Sequence, residues 1–375
     1  MSATDGQRVR FRDLGGRIGR LPTGPLNAIT DVPGVEVGHA TVSWGEPPGA
    51  PGHGPARTGV TAIWPHRRGM LDYPVPAGTH VINGTGEITC MTEINELGIL
   101  ASPIMLTNSM QIGGVYDATV RYMLEHDPAI GRDKSVVMPV VGECDDSFLN
   151  DSRGLHVKPV HVWAALDGAA AGPVAEGCVG SGTGMTCFGF KGGIGTSSRI
   201  VEVGERRFTV GVLVMTNFGR RHRLTVDGVP VGELLIAEPS APPDEPRREG
   251  RHAEGSAIVI AATDVPITNH DLARLAKRAG FGLVRTGSVA NNTSGEIALA
   301  FSTAYTLDTR PFYNVDLPNV FATEQLWEAA TDAAEEAILN SLCMAVTTVG
   351  RDGHVEQAIP LDRLQEILRS AGRVA

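Results

Sequence analysis

The stretch EGSAIVIAATDVP, residues 254–266, decides how this chain is read. Its centre, AIVIAA at 257–262, is an unbroken apolar run. That is the pattern of a strand buried on both faces. The segment that leads into it, residues 238–255, holds Pro239, Pro242, Pro243 and Pro246 with Arg and Glu between them, and no large apolar residue. Such a segment cannot build core and reads as a mobile surface linker. A polar linker that runs straight into a central strand, with Gly255-Ser256 at the junction, is unusual.

The junction has a chemical reading. A serine hydroxyl can attack the carbonyl of the preceding residue and convert the peptide into an ester, which water then cleaves. Glycine before the serine leaves the backbone free to adopt conformations closed to other residues. The cut would leave Ser256 with a free α-amine, whose reference pKa of about 7.7–8.0 suits a base near neutral pH. Nucleophile and base would then share one residue. The plain alternative is an ordinary loop entering a strand.

Further out, residues 59–64, 135–141, 208–215 and 295–302 read as strands, and residues 28–42 as short apolar runs broken by Pro33 and Gly34. Residues 45–59 read as a Pro- and Gly-rich surface loop. Helices are expected over 93–100, over 117–125 with Asp117 as cap, over 269–279, and over 323–345 with Thr323 as cap. Strands and helices interleave irregularly, which favours a layered α+β fold over a regular βαβ repeat.

The 375 residues, 42% hydrophobic, suffice for one large core or two ordinary ones. The formal charge of -10 argues against a nucleic-acid or membrane-surface partner. No apolar run is long enough to span a membrane and residues 1–12 lack a secretory core, so the cytoplasm is expected. Five widely spaced cysteines suggest reduced thiols rather than a disulfide framework. The Gly-x-Ser-x-Gly elbow, the Walker A loop, Cys-x-x-Cys and His-Glu-x-x-His are all missing, so no metal or nucleotide cofactor is expected. The glycines of 180–195 read as turn and packing residues, and Lys191 among them as a cation holding a carboxylate. The cluster Arg220-Arg221-His222-Arg223 reads as a solvated face.

Several blocks carry a family resemblance. They are GPLNAITDVPGVEVGH (24–39), INGTGEIT (82–89), PIMLTNS (103–109), VVGECDDSFLND (140–151), GSGTGMTCFGFKGGIGTSSR (180–199), VLVMTNFG (212–219), the opening stretch, and NNTSGEIALAFST (291–303). In this order they resemble the DmpA/BapA family, the L-aminopeptidase/D-esterase and β-peptidyl aminopeptidase group. The resemblance implies a four-layer αββα sandwich, shared with ornithine acetyltransferase. It implies one unit over 1–375 that cuts itself into 1–255 and 256–375, with the pieces held together in a homotetramer.

It also implies residue roles. Ser256 would be the nucleophile, with autocleavage between Gly255 and Ser256. Ser294 and Glu296 would support it, and their i, i+2 spacing puts both on one strand face. Asn217 would donate to the oxyanion, and Glu143 would bind the substrate's amino group. Asp145 stands where some members carry an aromatic residue. A second carboxylate there favours strongly basic substrates. The activity implied is an aminopeptidase or amidase. An acyltransferase using the same serine is the alternative, although the ornithine acetyltransferase group uses threonine, and a non-catalytic binding protein is the third reading.

Overall fold

A computed structural model describes residues 7–237 and 255–374. The linker expected over 238–255 lies outside the described residues except for Gly255. Two sheets form the centre. One has four strands in the order β1 (Glu36–Trp44), β2 (Ala56–Trp64), β5 (Ile104–Asn108) and β6 (Val140–Cys144). The other has six, in the order β4 (Ile99–Leu100), β3 (Val75–Gly84), β12 (Ser294–Ser302), β11 (Gly255–Thr263), β10 (Arg206–Asn217) and β9 (Ile194–Val203).

Side-chain alternation sorts the layers. Along β11, Ile258, Ile260 and Ala262 face the four-stranded sheet, with Leu213, Met215, Ile297, Leu299 and Phe301 of its neighbours. Ala257, Val259 and Ala261 point the other way, toward α5 (Asn269–Arg285) and α6 (Glu324–Met344). The outer face of the four-stranded sheet is covered by α2 (Ile112–His126) and α3 (Pro159–Asp167). This is the expected αββα sandwich. The apolar run at 257–262 is unbroken because β11 has core on both sides.

Small residues set the spacing of the second helical layer. Ala329, Ala330, Ala333, Ala334 and Ala337 line α6, all fully buried. A Cβ on Gly195 would stand 1.9 Å from the Ala337 carbonyl oxygen, so only glycine lets α6 lie this close on β9. Smaller helices complete the cover: α1 (Met91–Leu97) beside β3, and α4 (Val231–Ile236) and α7 (Leu361–Ser370) on the α6 side.

Several boundaries differ from the sequence reading. The helix expected over 93–100 ends at Leu97, because Gly98 takes a left-handed φ of 71° and its N–H bonds back to the Ile94 carbonyl. Ile99 and Leu100 then join the sheet edge. Asp117 is no cap: α2 starts at Ile112, and Asp117 sits inside it, paired with Arg121 at 2.8 Å. The strand expected over 135–141 starts at Val140. Pro139 offers no N–H to a ladder, and Val136 and Met138 are exposed. The loop expected over 45–59 gives way to β2 at Ala56. Thr323 does take the N-cap position of α6.

Among the described residues, no helix is long and apolar enough to cross a membrane. All five cysteines are free thiols.

Candidate active site

Three strand ends meet at the start of β11. Gly255 and Ser256 are its first residues and pair in parallel register with Ser294 and Gly295 of β12. On the other side, Asn217 ends β10 directly opposite Ser256. The sheet topology therefore gathers residues from three distant stretches of chain, with register partners 39 positions apart, onto one edge.

Ser256 is 3% exposed, and its Oγ has no hydrogen-bond partner among the described residues. A buried hydroxyl left unpaired costs about 1–3 kcal/mol, and such a cost is typically met at functional positions. Beside it, Ser294 Oγ donates to Glu296 Oε1 at 2.5 Å. Burial pushes the Glu296 carboxyl above its usual range, and the Ser294 hydrogen bond opposes that shift. A Cβ on Gly255 would lie 2.9 Å from Ser294 Oγ, so glycine there makes room for that hydroxyl.

Asn217 is held at both ends. Its Oδ1 accepts from the Thr186 N–H at 3.1 Å, and its Nδ2 donates to the Asp145 carbonyl at 2.7 Å. The orientation is thus fixed with one amide proton uncommitted by that bond. Thr186 belongs to a small hairpin, β7 (Thr186–Cys187) and β8 (Phe190–Lys191). Lys191, expected from its surroundings in sequence to hold a carboxylate, bonds chiefly to backbone, with the Glu356 charge acting on it from further away. Its buried Nζ donates to the carbonyls of Gly182, Met185 and Gly192 at 3.2, 2.7 and 2.8 Å. It gathers the glycine-rich loop and fixes the residue before Thr186. The cluster at 220–223 also differs from the solvated face expected: Arg221 packs its guanidinium over the Phe190 ring, 4.6 Å from the centroid.

Glu143 comes from the other sheet, near the end of β6. It is 8% exposed, and accepts from the Glu87 N–H at 3.0 Å and from Ser109 Oγ. Both donors are neutral. Burial raises its pKa, the two hydrogen bonds lower it, and the charges of Asp145 and Glu87 raise it further. Asp145 is half-buried, with its carboxylate accepting from the Ser147 N–H and hydroxyl, each at 2.9 Å. Glu143, Asp145, Ser109, Gly255 and Ser256 all line one cavity of about 580 Å³, a size suited to a small ligand. Among the described residues, no group of three or more His, Cys, Asp or Glu side chains could hold a metal ion.

Sequence reasoning missed Ser109, Thr186 and Ser147. Ser109 and Thr186 reach their partners across 34 and 31 positions, where no local spacing gives a signal.

Beneath the site, Asp146 is fully buried. Its Oδ1 accepts from Asn150 at 2.9 Å, and its Oδ2 has no partner among the described residues. Burial pushes its carboxyl up to about 7. The folded pKa lies above the unfolded one, so the folded state holds the proton more tightly. The stability this contributes is complete below the unfolded value of 3.8 and is lost as pH rises through about 7. Asp146→Asn removes the titration. Its thermal midpoint relative to wild type is expected to rise between pH 5 and pH 8, by the equivalent of a few kcal/mol at ~1.4 kcal/mol per unit. An unchanged difference at the two pH values would show that this carboxyl does not titrate there.

Fold and site together define an α+β hydrolase of the N-terminal-nucleophile type. The comparisons agree. A model of peptidase family S58 matches residues 27–356. The β-peptidyl aminopeptidase BapA of Sphingosinicella microcystinivorans is 43% identical, over 100% of this chain and 95% of its own. The L-aminopeptidase D-Ala-esterase/amidase of Ochrobactrum anthropi, described as a prototype serine aminopeptidase and a variant of the Ntn hydrolase fold, superposes with a TM-score of 0.88 and 42% identity, covering 98% of this chain and 99% of its own. A Burkholderia sp. β-aminopeptidase superposes with a TM-score of 0.87 and 41% identity, over 97% and 99%. The chain belongs to peptidase family S58.

Proposed function

We propose that the chain cuts itself between Gly255 and Ser256 into pieces 1–255 and 256–375 of one unit, and then removes N-terminal residues from short peptides, amino-acid amides or β-peptides. As a member of its family it is a serine aminopeptidase. The observation that carries the mechanism is the buried Ser256 hydroxyl between Ser294 and Asn217, unpaired among the described residues, in the same cavity as Glu143, whose carboxylate meets no cation among those residues.

In this reading the new α-amine of Ser256 takes the proton from its own hydroxyl, directly or through Ser294 Oγ. The buried Glu296 orients that second hydroxyl through its 2.5 Å bond. The hydroxyl attacks the substrate carbonyl and forms an acyl-serine. The second amide proton of Asn217 receives the oxyanion of each tetrahedral intermediate. The ammonium passes its proton to the leaving amine, and water then releases the free acid. Glu143 draws the substrate's own ammonium and so limits the enzyme to chain ends. Asp145 in the same cavity extends the negative field, which suits a basic first residue.

The reading takes the molecule to be cytoplasmic and homotetrameric, with neither nucleic acid nor membrane as partner. The acidic balance supports the lack of a nucleic-acid partner. Phe312 and Phe321, at 86% and 87% exposed, are apolar surface of the kind a subunit contact covers.

The test uses anilides of lysine, leucine and β-alanine, each free and N-acetylated, with an acceptor amine present. Free-amino substrates should give the free acid, with lysine preferred, and the acetylated ones should be inert. A new amide as the main product would convert the reading to an acyltransferase. Turnover of acetylated substrates would sink the role of Glu143.

A further inference from the structure

The cavity holding Ser256 is lined by charges that are not balanced internally. Four carboxylates line it: Glu143, Asp145, Asp151 and Asp352. Asp151 is engaged by the N–H groups of Gly52 and Gly54 at 2.6 and 2.9 Å, and Asp352 by Arg351 at 2.6 Å. Arg351 is further held by the Ser147 carbonyl at 2.5 Å. Glu143, Asp145 and Asp151 all accept only from neutral donors, so no cation within the described residues pairs with them. Arg153 is the converse. It is exposed to the same cavity, and its guanidinium has no hydrogen bond or ion pair among the described residues.

The turn that carries Arg153 is rigidly tied. The Asp151 carboxylate clamps it to the loop at Gly52 and Gly54, and the Asp151 N–H bonds to the Pro55 carbonyl at 3.1 Å. The Gly154 N–H bonds back to the Asp151 carbonyl at 3.1 Å. A Cβ on Gly154 would meet the His156 ring at 2.1 Å, so the turn is tightly packed where the chain leaves Arg153. A free cation on a fixed backbone, in the same cavity as uncompensated carboxylates, is complementary to a molecule with an ammonium at one end and a carboxylate at the other.

We propose that Arg153 binds the terminal carboxylate of the residue that leaves, so that the cavity selects zwitterionic dipeptides over their C-terminal amides. This rests on the aminopeptidase reading above and names its substrate class. Arg153 is a specificity residue and takes no part in bond breaking. Its exposure limits the gain, since a solvated guanidinium gives up little of its hydration for each bond.

The test compares a dipeptide with its own C-terminal amide, on the processed wild-type protein and on Arg153→Met and Arg153→Lys. Wild type is expected to favour the free acid about tenfold in kcat/KM, mostly through KM. Arg153→Met should lose that preference while hydrolysing the amide as wild type does, and Arg153→Lys should restore part of it. Equal turnover of acid and amide by wild type, or a parallel loss on both in Arg153→Met, would overturn the assignment and leave the aminopeptidase intact. A third substrate, a dipeptide amide with glutamate as its first residue, separates the two sources of a carboxylate. An Arg153-dependent gain on that amide would place the carboxylate on the first residue and overturn the proposal. No turnover of any of these substrates would overturn the aminopeptidase reading and this one with it.

Discussion

Ser256→Ala is expected to stay a single chain of 39.6 kDa on a denaturing gel, while wild type runs as two pieces whose intact masses match 1–255 and 256–375. The variant should also show no aminopeptidase activity, because both nucleophile and base are lost with the one hydroxyl. The comparison is clean because the structure predicts little cost in folding. Ser256 Oγ makes no hydrogen bond among the described residues, and alanine fits wherever serine does. Removing a buried hydroxyl that makes no hydrogen bond among the described residues costs little, so the variant should fold as a full-length chain with a cooperative thermal transition. Gly255 and Ser256 already sit in register with β12, so the strand does not depend on the cut for its pairing. A wild type that remains one chain while folded would end the self-cleavage mechanism. Two pieces from Ser256→Ala would assign the cut to another protease.

How far the sequence carried this depends on the kind of contact. The run at 257–262 and the segment at 295–302 were legible because a central strand with core on both faces must be apolar at every position. The roles of Ser294 and Glu296 came with the family resemblance; the two-residue period of one strand adds only that their side chains share a face. Residues 208–215 likewise proved to be the middle of β10. Helix starts were harder. The apolar face of α2 extends back through Val115, so a polar residue inside the helix, Asp117, looked like its beginning. The β-rich composition of 135–141 misled because exposed Val136 and Met138 carry propensity without burial. Local composition also could not say what Lys191 holds. Its partners are three backbone carbonyls, which look alike whatever residue bears them. The contacts that orient Asn217 and Glu143 cross between elements. Thr186 on a small hairpin and Ser109 after β5 become neighbours of the site only through the packing of two sheets.

That packing underlies the second large effect. Glu143 stands on the four-stranded sheet while Ser256 stands on the six-stranded one, so the distance between ammonium site and nucleophile is set by how the sheets stack. Gly142, next to Glu143, is part of that contact: a Cβ there would lie 3.3 Å from Ile258. Glu143→Gln preserves shape and can still accept from the Glu87 N–H, but it removes the charge. Losing one partner of a buried, hydrogen-bonded charge pair costs about 2–5 kcal/mol, so kcat/KM for free-amino substrates is expected to fall by roughly 10²–10³. Self-cleavage should be unaffected, since the peptide cut at Gly255 carries no ammonium for Glu143 to hold. The pH profile supplies an independent reading. The wild-type carboxyl titrates above the usual carboxylate range because burial disfavours its charge. Only the ionised form attracts the ammonium, so kcat/KM should decline as pH falls through that raised value. In Glu143→Gln this acid limb should vanish, leaving the limb set by the Ser256 amine. If the variant cuts itself, folds, and loses less than about threefold in kcat/KM, or falls on the acid side as steeply as wild type rather than with the amine's single protonation alone, then Glu143 is a structural carboxylate and the selection for chain ends resides elsewhere in the cavity.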